Sequence, residues 1–212
     1  MLTTKFNLTL RRAVLAAVLA ASSSVALADP LSYRVEIDTR QFSGAGFLDF
    51  AFIAGNSPAP GASAVLSNFS GAFGALASQE GNVSGSLPGT LTFGNSGAYN
   101  DWFHNVTLGG KFGFNVVFGG DFLNTAGNAG TTFGVGLLDA SGTAYLGNAN
   151  GNLVQFELTP LNGGIPASIA GSTYASIASI SAVPEASEWM MLTGGLALIG
   201  FALRRRQPVT RA

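Results

Sequence analysis

The sequence predicts an all-β fold: a single β-sandwich or jelly-roll-like domain, flanked by an N-terminal signal helix and a C-terminal transmembrane helix. Three observations favour this class. Short runs in which apolar and polar residues alternate recur through residues 29–183. Glycine-rich turns separate these runs, and no stretch between them shows a strong helical period. Many short strands joined by such turns are typical of sandwiches.

The predicted strands follow one another along the middle of the chain. In the first, Tyr33, Val35 and Ile37 alternate with polar residues, as in a half-buried strand. The complete set covers residues 33–38, 47–53, 64–69, 90–93, 103–108, 111–118, 132–138, 153–158 and 174–181. Turn signals lie between the strands at Gly109-Gly110, Gly119-Gly120-Asp121, Ser141-Gly142 and Asn150-Gly151.

The clearest hairpin signal joins residues 103–108 to residues 111–118. Gly109-Gly110 is a two-residue connection of the kind that primed hairpin turns favour. We therefore predict that these two strands pair with each other. Residues 55–61 are predicted to form a loop, and residues 167–182 either a linker or a final strand.

Residues 29–183 are acidic, although the whole chain is close to neutral. This part has three basic and nine acidic residues, a net charge of −6, whereas the total is −1. Three dispersed basic residues do not make the positive surface that nucleic-acid binding needs, so we expect no nucleic-acid partner. The chain has no cysteine, which excludes disulfides, thiolate metal sites and cysteine nucleophiles.

The N-terminus has the organisation of a signal peptide, predicted at residues 1–28. Its parts are a basic region with Lys5, Arg11 and Arg12, an apolar core at residues 13–21, and a small-residue cleavage site with Ala26 and Ala28. We expect signal peptidase to cut after Ala28, which leaves residues 29–183 as the exported domain. A buried or membrane-spanning helix is the less favoured alternative, because the apolar run is short.

The end of the chain, residues 184–207, is also in three parts. They are Pro184-Glu185 in a polar stretch, the uncharged segment 189–203, and the cluster Arg204, Arg205 and Arg206. The fifteen residues of the apolar segment would span roughly 22 Å as a helix, against roughly 30 Å of membrane hydrocarbon. We predict a marginal transmembrane helix with its arginines on the cytoplasmic side, so that the domain lies across the membrane.

This tail resembles the PEP-CTERM sorting signal, which combines a Pro-Glu-Pro motif, an apolar helix and a terminal arginine cluster. Pro184 and Glu185 match the first two motif positions, while Ala186 stands in place of the second proline. The resemblance implies cleavage by exosortase, a membrane enzyme of Gram-negative bacteria that make exopolysaccharide and biofilm. The cleavage position, and the effect of Ala186 on processing, stay open.

The middle of the chain is similar to a subgroup of PEP-CTERM proteins of unknown function. The similar features are an opening Tyr-x-Val-x-Ile-Asp-Thr strand at residues 33–39, a Leu-Asp-Phe step at 48–50 and an Asn-Phe-Ser step at 68–70. This second resemblance implies no known activity.

Few residues are candidates for catalysis. His104 is the only histidine, and a serine–histidine–acid site would need it, but no G-x-S-x-G turn accompanies it. A glycosidase needs two carboxylates that face one sugar, and the scattered acids leave open which of them meet in space. Glu36 and Asp38 share one strand face, where a solvated surface is the simpler interpretation. We therefore expect no enzymatic activity.

The sequence also offers candidate residues for two kinds of binding site, one for calcium and one for sugar. Turns at residues 139–142 and 148–152 offer oxygen ligands for calcium, although such clusters are usually plain turns. We expect no cofactor, with calcium as the weak alternative. Trp102, Tyr99 and Tyr145 lie next to predicted turns, and we select Trp102 and Tyr145 as candidate platforms for stacking on sugar.

The function that these patterns favour is that of a non-enzymatic exported protein of the exopolysaccharide matrix. Its expected partners are signal peptidase, exosortase, the membrane before processing, and exopolysaccharide. Its expected location, after export across the inner membrane and transient anchoring, is the cell surface or extracellular matrix. A carbohydrate-binding module of that matrix is the alternative, and a secreted glycoside hydrolase is the least favoured.

Overall fold

The computed structural model describes residues 31–55, 59–183 and 193–197. These residues form two antiparallel sheets of six strands each, consistent with the predicted β-sandwich. The strands are β1 Ser32–Asp38, β2 Gly44–Ala54, β3 Ser63–Ser70, β4 Phe73–Glu80, β5 Val83–Gly85, β6 Leu91–Gly94, β7 Tyr99–Leu108, β8 Lys111–Gly119, β9 Thr131–Leu138, β10 Val154–Thr159, β11 Ser168–Thr173 and β12 Ala178–Ala182.

The chain passes repeatedly from one sheet to the other. The first sheet has the order β12-β1-β8-β3-β6-β5, and the second has the order β11-β10-β9-β2-β7-β4. Within this arrangement the pairs β1–β8, β2–β7 and β3–β6 are nested, so that early strands pair with late ones. Residues far apart in the sequence are thereby brought together on each sheet face.

The two sheets enclose a core that is rich in phenylalanine. The ring of Phe50 on β2 lies 5.4 Å from that of Phe114 on β8, and Phe118 on β8 lies 5.0 Å from Phe156 on β10. These contacts join the two layers. Phenylalanine suits this position because its ring fills the interior without a hydroxyl group that would need a partner.

The predicted hairpin between β7 and β8 is wrong, although both strands and their connection lie where the sequence placed them. β7 pairs with β2 and β4 in the second sheet, whereas β8 pairs with β1 and β3 in the first. Gly109-Gly110 therefore crosses between layers. The buried Thr39 holds this crossing: its Oγ1 donates to Gly110 O at 2.9 Å and accepts from Gly109 N at 3.1 Å.

Other differences concern strands with weak patterns. The sequence signals missed β4 and β5, whose residues are mostly exposed and carry little apolar alternation. The region 167–182 contains two strands, β11 and β12, which belong to different sheets. The predicted strand 174–181 is therefore corrected to β12 alone, preceded by a connection.

The predicted signal peptide and most of the predicted tail lie outside the described residues. Within the tail, residues 193–197 are helical, and Leu196 is exposed over 60% of its surface. None of the helices in the part of the chain that the structure describes is long and apolar enough to cross a membrane. The transmembrane helix at 189–203 stays a prediction.

Candidate functional site on the outer face of the second sheet

The second sheet has one face in the core and one that points away from it, here called the outer face. On β2 the core residues Leu48, Phe50 and Phe52 alternate with outer residues that include Phe47 and Asp49. On β7 the outer positions include Tyr99, Asp101 and Phe103. The pairing of β2 with β7 sets Asp49 opposite Phe103 and Ala51 opposite Asp101, so the two aspartates are diagonal neighbours on one face.

The connection between β9 and β10, residues 139–153, folds back over the outer face and is here called the strap. A Cβ at Gly136 of β9 would lie 3.3 Å from Tyr145 Cε1 of the strap and 3.5 Å from Asp49 Cβ. A Cβ at Gly134 would meet Asn152. The absence of side chains at these two glycines lets the strap settle on the sheet, and β9 is consequently buried on both faces.

Local hydrogen bonds hold the strap in place. Asp139 Oδ1 accepts from Ser141 Oγ at 2.7 Å and from the backbone N–H groups of Thr143 and Ala144. These bonds, led by that from the Ser141 hydroxyl, lower the pKa of Asp139. Leu146 N donates to Leu137 O at 2.8 Å, which ties the strap to β9.

Asp49 and Asp101, here called the acid pair, are diagonal neighbours across the β2–β7 pairing, close enough for the carboxyl of Asp101 to act on that of Asp49. Asp101 is only 8% exposed, and the Oδ1 atoms of both residues are buried without a hydrogen-bond donor among the described residues. Burial raises the pKa of Asp49 to about 8, and the neighbouring carboxyl of Asp101 adds to this effect. Two ionised carboxylates side by side would repel each other, so the neutral form of one is favoured.

No basic side chain of residues 31–55 and 59–183 neutralises the acid pair. Arg34 lies on β1, where it donates to Asn68 O, and Arg40 binds Asp38 in the turn that follows β1. Lys111 opens β8, in the same sheet as β1. The acid pair is on the other sheet, and it also raises the pKa of Tyr99 to about 12, after the larger effect of burial.

The structure corrects the prediction that Trp102 stacks on sugar. Trp102 and His104 lie on the core side of β7 and are 3% exposed each. Trp102 Nε1 donates to His104 Nδ1 at 3.2 Å, and the other ring nitrogen of His104 lies 3.2 Å from Gly74 O. Burial lowers the pKa of His104. These partners assign a neutral histidine with its proton on Nε2, which is a structural role in the core.

Tyr145 keeps the exposure that the stacking prediction requires. It is 41% exposed, and Tyr99 on the same outer face is 45% exposed. The calcium-ligand candidates are occupied by their own turns: Asp139 binds the strap backbone, and Asn148 Nδ2 donates to Asn152 O at 2.7 Å. Among the described residues, no three acidic, histidine or cysteine side chains converge in a group that could hold a metal ion.

Comparison with protein-family models, curated proteins and solved structures found no match to this chain. The predicted sorting and cleavage residues lie outside the described residues: Ala26, Ala28, Pro184, Glu185, Arg204, Arg205 and Arg206. Sequence reasoning missed the acid pair, which joins strands about fifty residues apart. One signal pointed to it, since each aspartate is a single charge next to aromatic residues, in Leu48-Asp49-Phe50 and in Asp101-Trp102-Phe103.

Proposed function

We propose that this chain is a non-enzymatic protein exported by a Gram-negative bacterium, anchored briefly by its tail, processed by exosortase, and left at the cell surface or in the biofilm matrix. The observation that carries the proposal is the three-part tail: Pro184-Glu185, the apolar segment 189–203 and the arginines 204–206. In the precursor, a signal helix and a tail helix flank the sandwich. The partners are signal peptidase, exosortase and exopolysaccharide.

The arrangement of the first and last strands is consistent with a removable tail. β1 pairs with β12, and Val183 N donates to Ser32 O at 2.9 Å. Both terminal segments therefore leave the domain at the same end of the sandwich. Pro184 follows directly after this last hydrogen bond. Cleavage near Pro184-Glu185 would thus break none of the described strand pairings.

The geometry of the acid pair supports a non-enzymatic role. Glycosidases hold their two carboxyl groups about 5–9.5 Å apart, so that a sugar, or a sugar and a water, fits between them. In the acid pair, the Oδ1 atoms of Asp49 and Asp101 are instead buried, and Tyr145 of the strap lies beside Asp49. Carboxyl oxygens that are closed off in this way do not face a sugar in solution, which favours a role without catalysis.

Carbohydrate binding is the second candidate function, and the outer face favours it. Tyr99 and Tyr145 expose their rings on one face, next to the carboxyls of the acid pair. We also infer a jelly-roll topology from the nested pairs β1–β8, β2–β7 and β3–β6. Lectin domains use this fold, but that likeness is one of fold and does not assign a ligand.

Mass spectrometry of the protein from its host tests the sorting proposal. We expect a mature chain that begins at Asp29 and ends near Pro184 in cells with active exosortase, and a retained tail in cells that lack the enzyme. A variant with Arg204, Arg205 and Arg206 changed to glutamine is the matched control and should keep its tail. A tail retained in cells with active exosortase would overturn the proposal.

Retention on purified exopolysaccharide tests the second candidate. Tyr145→Ala should weaken retention about tenfold or more if the exposed ring stacks on sugar. Tyr174→Ala is the matched control, because Tyr174 is 53% exposed and lies outside the outer face, between β11 and β12. Equal retention of the two variants would remove this candidate and leave the sorting proposal intact.

A further inference from the structure

We propose that Asp49 and Asp101 share one proton and that this proton keeps the strap closed over the outer face, so that the strap opens more readily as pH rises. The proposal does not depend on the protein's function. It begins from the two Oδ1 atoms, which are buried and have no donor among the described residues. Two adjacent buried carboxyls need a proton or a cation between them, because repulsion and desolvation oppose two ionised groups.

Within the part of the chain that the structure describes, the surroundings of the acid pair supply no such cation. β7 contributes Tyr99, β4 contributes Glu80 opposite Asp101, and the strap contributes Tyr145. The neighbouring positions on β9 are glycines, and His104 is neutral and on the opposite face of β7. All of the described groups that face the acid pair are thus acidic or neutral. A shared proton is the arrangement that these neighbours allow.

The strap takes part because it contributes to the burial of Asp49. Tyr145 of the strap and Asp49 both border the space above Gly136. Gly142 of the strap would place a Cβ 3.5 Å from Phe103 Cζ and 3.6 Å from Phe47 Cε2, so the strap also covers the ring pair beside the aspartates. Lifting the strap would admit water to Asp49 and let it ionise.

The direction of the pH effect follows from linkage. In the closed state the pKa of Asp49 is raised to about 8, and in an open, hydrated state it returns toward an ordinary value of about 4. Opening therefore releases a proton between these two values. The opening equilibrium should rise by up to about tenfold per pH unit in this window and become constant above it.

Hydrogen exchange of the full-length chain in detergent micelles, from pH 5.5 to 8.5, tests the proposal. The reporter is the amide of Leu146, which donates to Leu137 O, and the reference is Val35, buried in β1 between β12 and β8. After correction for intrinsic exchange, we expect the opening of Leu146 to increase by up to about tenfold per pH unit up to about pH 8. Val35 should show no such increase.

The variants separate the acid pair from general effects of pH. Asp49→Asn places an amide donor against Asp101 and should make the opening of Leu146 independent of pH, and Asp49→Ala, which also removes the titrating group, serves if the first variant does not fold. Asp38→Asn is the matched control, because Asp38 binds Arg40 beside the first sheet and should keep the wild-type response. Asp139 stays ionised throughout this range, since its pKa is lowered.

Two results would overturn the proposal. One is an opening of Leu146 in the wild-type chain that does not change with pH, or that changes equally in a folded Asp49→Asn or Asp49→Ala variant. The other is protection of Leu146 by calcium at pH 8.5 that Asp49→Asn abolishes, because a cation would then hold the acid pair in place of a proton. Infrared spectroscopy should show a protonated carboxyl band in the wild-type chain that Asp49→Asn lacks.

Discussion

Single residues determine how the outer face and the core contribute to stability, and only the outer face does so in a way that depends on pH. Asp49 and Asp101 place two carboxyl groups side by side, with both Oδ1 atoms buried and no basic side chain of the described residues to neutralise them. Phe133, by contrast, is fully buried among other phenyl rings, and its side chain has no polar atom that needs a partner. The acid pair makes the free energy of unfolding depend on pH, whereas the packing of Phe133 contributes the same free energy at every pH.

Asp49→Asn should flatten the pH dependence of the free energy of unfolding. The folded state holds a proton that the unfolded state has lost between about pH 4 and 8, because folding raises the pKa of Asp49 to about 8. Wild-type stability should therefore fall as pH rises in this window, by at most about 1.4 kcal/mol per pH unit from this group. Urea unfolding at several pH values measures the slope.

Asp38→Asn is the control for this slope. The side chain of Arg40 and its backbone N–H lower the pKa of Asp38 to about 2, so Asp38 contributes stability that is present above about pH 4 and lost as pH falls toward 2. Its variant should match the wild-type slope above pH 4. If the slopes of the wild-type chain and Asp49→Asn coincide, the folded state does not hold the proton at this site.

Phe133→Ala should destabilise the domain by about 3–5 kcal/mol, because it leaves a large cavity where the layers meet. The Phe133 ring has its centre 5.9 Å from those of Phe93 and Phe118. Leu76→Ala is the control, since Leu76 is 42% exposed and should change stability by about 0.5 kcal/mol or less. Urea unfolding would contradict this account of the core if the two variants lost similar stability.

At the scale of elements, the sequence predicted where most strands lie but not how they pair. Alternation located β1 and β2, because each has a buried side and a more exposed side that require different side chains. The alternation pattern could not distinguish a hairpin within one sheet from a connection between the two sheets at Gly109-Gly110, because both need a tight, glycine-rich turn. The crossing is distinguished by the pairing of β7 and β8 with strands of different sheets and by hydrogen bonds with Thr39, about seventy residues away.

Thr39→Val should destabilise the crossing between β7 and β8 by about 1–3 kcal/mol. Valine keeps the shape of threonine but removes the acceptor for Gly109 N and a donor to Gly110 O at a fully buried position. Thr107→Val is the control, because Thr107 is an exposed residue of β7. Equal unfolding midpoints for the two variants in urea would show that the Thr39 hydroxyl does not hold the crossing.

At the scale of the whole molecule, the nested topology explains why the candidate site was harder to predict than the fold. The fold class depends on local alternation, which the sequence displays. The position of the acid pair depends on the register between β2 and β7. Its burial depends on the strap, which packs against the glycines of β9. Neither long-range pairing nor a fold-back of the chain has a local sequence signal of comparable strength.

The same topology supports a division of the chain into a domain and two removable ends. The core joins both sheets, and β1 and β12 lie side by side at the edge where the terminal segments leave. In the proposed precursor, the terminal segments serve for export and sorting and contribute nothing to this core. Residues 29–183 should consequently fold without either of them.

Near-ultraviolet circular dichroism and urea unfolding of residues 29–183, produced alone, test this claim most directly. We expect a fixed aromatic signal from the phenylalanine-rich core and a single cooperative transition, as for a self-sufficient domain. A weak aromatic signal with gradual, non-cooperative unfolding would mean that the terminal segments belong to the fold, and it would contradict the account.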